Sequence, residues 1–93
     1  LLRRDLHRAQ AQWRQETQML EVMVEPHSPF DHTPVSRLPH YEDLLIALLE
    51  RDGEIVIPHG TTVVQAGDIL TLLVGPHMTS LEVSEFLNKA QGP

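Results

Sequence analysis

The dipeptide Asp52-Gly53 stands between two apolar stretches, Leu44-Leu45-Ile46-Ala47-Leu48-Leu49 and Ile55-Val56-Ile57. Glycine takes the positive φ of a two-residue hairpin loop at no steric cost, so this arrangement predicts a tight turn joining two antiparallel strands. Residues 40–49 alone also fit a short buried helix, because apolar density without alternation does not separate the two. The return of strand character at Glu54 decides for the hairpin. Pro58 ends its second strand, and His59-Gly60-Thr61 turns the chain.

The rest of the pattern builds outward from that unit. Val63-Val64 is a short strand and Ala66-Gly67-Asp68 a turn, and Ile69-Leu70-Thr71-Leu72-Leu73-Val74 has the apolar density of an interior strand, closed by Gly75-Pro76. Upstream, Leu20-Glu21-Val22-Met23-Val24-Glu25 alternates, which sets Leu20, Val22 and Val24 on one face of a half-buried strand that Pro26 and Pro29 stop. Thr33-Pro34 reads as an N-cap followed by proline at the first helical position, opening one helical turn through Leu38. Thr79-Ser80-Leu81-Glu82 has the spacing of a capping box, and Val83, Phe86, Leu87 and Ala90 form a helical stripe. The last helix is expected to lie on the sheet, with Gln91-Gly92-Pro93 a loose end. Helices and strands do not alternate strictly, so the expected fold is α+β, a small, mostly antiparallel β-sheet packed with helices.

Leu2, Leu6, Ala9, Trp13 and Leu20 recur at near-helical spacing, with no Gly or Pro before Pro26. They predict an amphipathic linker helix over residues 1–18, ahead of a domain over 19–93. Two readings stay open for it: a connector packing its stripe on the domain or a partner chain, or a juxtamembrane segment. Arginines just after a membrane span are favoured on the cytoplasmic side, where anionic lipid attracts each by about 1 kcal/mol. The chain begins at Leu1, inside this pattern, and is expected to be a piece of a longer polypeptide.

Composition excludes several classes. With 41 % hydrophobic and 22 % charged residues, wholesale disorder is not expected, and 93 residues leave room for one core. The absence of cysteine removes disulfides, thiolate nucleophiles and cysteine-ligated zinc. Arg3, Arg4, Arg8 and Arg14 against Asp5 make the first fourteen residues +3, while the remainder carries −9. That acidic body repels phosphate, so nucleic acid is not an expected partner.

Catalytic equipment is hard to find, and no enzyme is expected. His7, His27, His32, His40, His59 and His77 form no i, i+4 pair on a helix and no His-Glu-x-x-His, so no metal site is expected. His27, His32 and His40 read as loop histidines, solvated or bonded to backbone. Ser28, Ser36, Ser80 and Ser84 lie in no Gly-x-Ser-x-Gly context. Adjacent Glu42 and Asp43 would point to opposite faces of a strand and read as solvated charges. Gly53, Gly60, Gly67 and Gly75 are spaced as turn punctuation and not as a dinucleotide loop.

Arg51-Asp52-Gly53-Glu54-Ile55-Val56-Ile57-Pro58, then Gly60, Thr62-Val63, Ala66-Gly67-Asp68, Leu70 and Val74-Gly75, closely resemble the TrkA-C (RCK-C) family, the C-terminal regulatory domain of potassium channels and ion transporters. The likeness runs from about Met19 to Leu87. It implies a non-catalytic, cytoplasmic domain of an inner or plasma membrane protein. That domain pairs with a second copy and is joined to a membrane-embedded transporter segment of the same polypeptide. It implies no cofactor, but an effector in the cleft between two domains, which in some members is cyclic di-AMP or another nucleotide. The family's ligand-lining strands correspond to Ile46, Ala47 and Arg51, with Ile57 and Pro58 on the partner strand. All five also fit a role as core or dimer-interface residues. Glu50 precedes Arg51 where the family usually carries two basic residues, leaving Arg51, Arg37 and backbone amides to offset an anionic ligand.

Two functional readings follow from the resemblance: a dimerising, ligand-sensing domain of a cation or potassium transporter, or a TrkA-C effector-binding domain of a cytosolic transcriptional regulator.

Overall fold

The computed structural model describes residues 17–92. Among the described residues six strands and one α-helix follow in order: β1 (Gln18–Met23), β2 (Thr33–Pro34), β3 (Leu44–Arg51), β4 (Glu54–Val56), β5 (Val63–Val64), β6 (Ile69–Val74) and α1 (Ser80–Gln91). Strands β1-β6-β3-β4 form one sheet in that order, every neighbour antiparallel, and β2 and β5 form a separate two-stranded ribbon. This is the expected α+β arrangement of an antiparallel sheet with a helix on it. The linker helix expected over residues 1–18 lies outside the described residues except at its last two positions. There Gln18 already opens β1, because its backbone pairs with Val74.

The hairpin forms where Asp52-Gly53 predicts it. Asp52 has φ 53° and Gly53 φ 80°, and Arg51 faces Glu54 across the turn. Positive φ at both central positions is the type I′ signature, whose twist matches that of the flanking strands. One irregularity interrupts β3. Ile46 pairs with Leu72 and Leu48 with Thr71, so Ala47 is an extra residue, a bulge that bends the strand.

The pleat sorts side chains onto two faces. Val22, Leu49, Leu70, Leu72 and Val74 point to the inner face and are buried with Val24, Phe30, Val64, Phe86 and Ala90. β6 is the interior strand its apolar density predicts: Leu70, Leu72 and Val74 are buried and the residues between them half-buried. The outer face carries Met19, Leu73 and Leu45 in one row, Glu21, Thr71 and Leu48 in the next, and Met23, Ile69, Glu50 and Ile55 in the third.

Helix α1 starts with the predicted capping box. Thr79 Oγ1 accepts from the Glu82 amide at 3.1 Å while Glu82 Oε1 accepts from the Thr79 amide at 3.0 Å. Phe86 and Ala90 are its buried residues, and the Glu25 amide donates to the Ala90 carbonyl at 2.9 Å, tying the helix end to the chain leaving β1. Gln91 belongs to the helix and is not part of a loose end. Phe30 comes from the loop after β1 and meets Phe86 edge to face, with centroids 4.9 Å apart.

The segment around Thr33 departs from expectation. Thr33 caps no helix: its hydroxyl donates to the Pro29 carbonyl at 2.8 Å, and Thr33-Pro34 pairs with Val63-Val64. The helical turn is a 3₁₀ turn over Val35–Arg37, with Pro34 in the cap position and no side-chain cap. Pairing won over capping because the ribbon satisfies the backbone on both sides, with the His32 amide donating to Val64 O (2.8 Å) and the Val35 amide to Thr62 O (2.9 Å).

Candidate functional site

The 3₁₀ turn, the start of β3 and the loop after β4 enclose a groove of about 200 Å³. Leu38, Pro39, Leu44, Ile46 and Pro58 give it apolar walls, and His40, His59 and Gly60 its polar rim. Local chemistry fixes its two sides. The Ser36 amide donates to Gly60 O at 3.0 Å, holding the turn against the β4–β5 loop. His40 Nε2 lies 2.8 Å from Ser36 O, and since a carbonyl only accepts, Nε2 carries the proton. None of the lining residues is a carboxylate, and Arg37 stands exposed on the bordering turn.

The expected site residues separate. Ile46 and Pro58 meet in the groove. Ala47 is the bulge residue, half-buried, and Ile57 is 60 % exposed beyond the end of β4; neither lines the groove. Arg51 is engaged elsewhere. Its Nε donates to Asp68 Oδ1 at 2.8 Å and its Nη2 to Asp68 Oδ2 at 2.7 Å and to Val63 O at 2.9 Å. The hydrogen bonds to Asp68, with the charge of that carboxylate behind them, raise the Arg51 pKa above its ordinary value against the effect of burial. Leu38, Pro39 and Gly60 escaped the sequence reading as lining residues. Their signal was the Thr61-Thr62-Val63-Val64 run, whose ribbon partner Thr33-Pro34 brings the 3₁₀ turn against Gly60.

A second cleft, of about 360 Å³, opens beside the start of α1 and holds Tyr41, Glu42, Asp43, His77, Met78 and Glu82. Two of its carboxylates already have structural work. Glu82 closes the capping box, and Asp43 Oδ2 accepts from the His77 amide at 2.7 Å. Asp43 also presses against Gly75, whose amide donates to Asp43 O at 2.8 Å. Asp43 is therefore a fixed bracket for the β6–α1 corner, not the solvated charge expected from sequence. Among the described residues no group of three His, Cys, Asp or Glu is placed to hold a metal. No described helix is long and apolar enough to cross a membrane.

A family model for the TrkA-C domain matches residues 19–81, more than half of the chain. The chain belongs to the TrkA-C family. TrkA-C domains are generally regulatory domains of potassium-transport systems. No curated protein matches the chain. A solved structure described as an RCK domain with cda is similar to it at 20 % identity, with a TM-score of 0.63, over 78 % of this chain and 97 % of that one. At that identity the likeness concerns the fold, and it agrees with an RCK-like sheet and C-terminal helix.

Proposed function

We propose that this TrkA-C domain is a non-catalytic, cytosolic sensor of a membrane cation or potassium transporter, acting as a homodimer with an effector held at the groove between Leu38 and Pro58. The observation that carries this reading is the groove itself. It has apolar walls, a histidine rim, no lining carboxylate and Arg37 beside it, in a chain that is otherwise strongly acidic. At about 200 Å³ it falls below the roughly 300–1,000 Å³ of pockets that bury a ligand alone, which favours a site completed by a second copy.

Cyclic di-AMP, the effector in some family members, is the first ligand to test, and the similar RCK domain is described with cda. An effector moves a gate only by the difference in its affinity for the two gate states. The test is a thermal-shift series with cyclic dinucleotides and adenine nucleotides, run beside sedimentation velocity. A ligand at 100 times its dissociation constant stabilises by about 2.7 kcal/mol. Stabilisation that Ile46→Glu abolishes in a still-folded dimer supports the groove. No shift with any nucleotide removes the nucleotide-sensing reading, and a monomer at every concentration removes the dimer.

A further inference from the structure

Strand β4 is an edge of the four-stranded sheet. It pairs with β3 on one side, and no described backbone group bonds to it from the other. Ile55 and Ile57 are 59 % and 60 % exposed along this edge, with no Lys or Arg between Asp52 and Pro58 to guard it. We propose that β4 is where two copies of this chain join, strand against antiparallel strand, about a two-fold axis through Val56. The proposal rests on the homodimer reading above and names its interface.

Backbone parity selects the register. Arg51 and Glu54 flank a two-residue type I′ turn and exchange hydrogen bonds, so Ile55, one step on, directs its N–H and C=O away from β3. Val56 turns its own back towards β3. Burial goes on alternating through Pro58, which gives Ile57 the parity of Ile55. An antiparallel partner with Val56 opposite Val56 therefore sets Ile55 of each copy against Ile57 of the other, closing about four backbone hydrogen bonds. An axis through Ile57 would instead set Ile55 against His59, whose N–H and C=O are already bonded to Thr62. An axis through Ile55 would set Ile57 against Gly53 in the turn. Either shift keeps only about half of the bonds.

The same register suits the side chains. On the outer face each Ile55 meets an Ile57, and on the inner face the two Val56 side chains meet each other. Each Glu54 comes opposite Pro58 of the second copy and faces no carboxylate. The two Glu50 side chains lie three strand spacings apart, about 14 Å, beyond the ~8 Å over which exposed charges act at physiological salt. Pro58 also lines the groove, so the hairpin of the second copy arrives at the groove's rim. The interface is thus continuous with the site that a second copy would complete.

The chain has no cysteine, so one introduced cysteine reports the contact directly. Val56→Cys sits on the proposed axis, where facing Cα atoms of a non-hydrogen-bonded pair lie about 4.5 Å apart, within the span of a disulfide. Oxidation with diamide is expected to convert it to a covalent dimer at least ten-fold faster than Met23→Cys, an exposed position on the far strand β1. Ile57→Lys changes an exposed side chain outside the groove, and Ile55→Pro removes an N–H that β3 does not use. Each should weaken dimerisation at least ten-fold in sedimentation equilibrium, with far-UV circular dichroism unchanged. A folded chain that stays monomeric at every concentration overturns this proposal together with the dimer reading. A dimer that survives both Ile57→Lys and Ile55→Pro, or that cross-links as fast through Met23→Cys as through Val56→Cys, overturns this interface and leaves the dimer reading standing.

Discussion

Arg51, the last residue of β3, lays its guanidinium flat against the carboxylate of Asp68, seventeen residues on, with both prongs within 2.8 Å. Asp68 is 1 % exposed, and its Oδ2 also accepts the Gln65 amide at 2.8 Å, so the ion pair locks the turn before β6 to the end of the hairpin. Removing one partner strands the other. Arg51→Met leaves a buried carboxylate facing a single amide, and Asp68→Leu leaves a half-exposed guanidinium and an unpaired Gln65 amide. Each is expected to cost about 3 kcal/mol in urea unfolding, with the double substitution costing clearly less than the sum. Additive losses would show that the pair is not coupled.

Asp31 holds the loop after β1 to the ribbon by accepting the His27 amide at 3.2 Å and the Ala66 amide at 3.0 Å. The His27 hydrogen bond does most to hold its carboxyl below the ordinary value of 3.8, the Ala66 amide adding to it against desolvation. A folded-state pKa below the unfolded one gives stability that is present above about 3.8 and lost as pH falls through the lower folded value. Melting temperatures measured from about pH 5 down to about pH 2 should therefore fall more steeply in the wild-type chain than in Asp31→Asn. Parallel curves would contradict this.

A side chain at Gly75 would run into the Asp43 carboxylate. Gly75→Ala should destabilise the domain by about 1–3 kcal/mol, as overpacking does. Adding Asp43→Ala should recover part of that loss, although alone it unpairs the His77 amide. Chemical denaturation of the two single variants and the double variant reads the sign of the coupling directly.

Phe30 and Phe86 are the chain's two phenylalanines, and each is at most 1 % exposed. Phe30→Ala empties the loop side of their contact and is expected to cost about 3–5 kcal/mol. Thr79→Ala, which only opens the capping box, should cost about 1 kcal/mol. If the two cost the same, Phe30 does not anchor the loop in the core.

Most of the strands were legible because each carried its own local signal. Asp52-Gly53 specified the hairpin through the positive φ of its turn, the alternation of Leu20, Val22 and Val24 specified an inner face, and Thr79 with Glu82 specified a helix start. The site was only partly legible. Ile46 and Pro58 do line the groove, but Arg51 turned inward to Asp68, and Thr33 served a ribbon where a cap was expected. Both departures involve partners at least seventeen residues away, and no local pattern records which of several competing hydrogen-bond partners wins.

By itself the sequence determined where the strands of the four-stranded sheet, its hairpin turn and the final helix form, since those depend on side-chain periodicity, φ preference and neighbours a few residues apart. Tertiary structure alone decided the strand order β1-β6-β3-β4, the bulge at Ala47, the pairing of Thr33-Pro34 with Val63-Val64, and the commitment of Arg51 and Asp43 to fixed contacts. The reason is that burial and hydrogen-bond satisfaction are global constraints. A buried polar group takes whichever partner the packed chain brings within reach, and only the assembled sheet determines which partner that is.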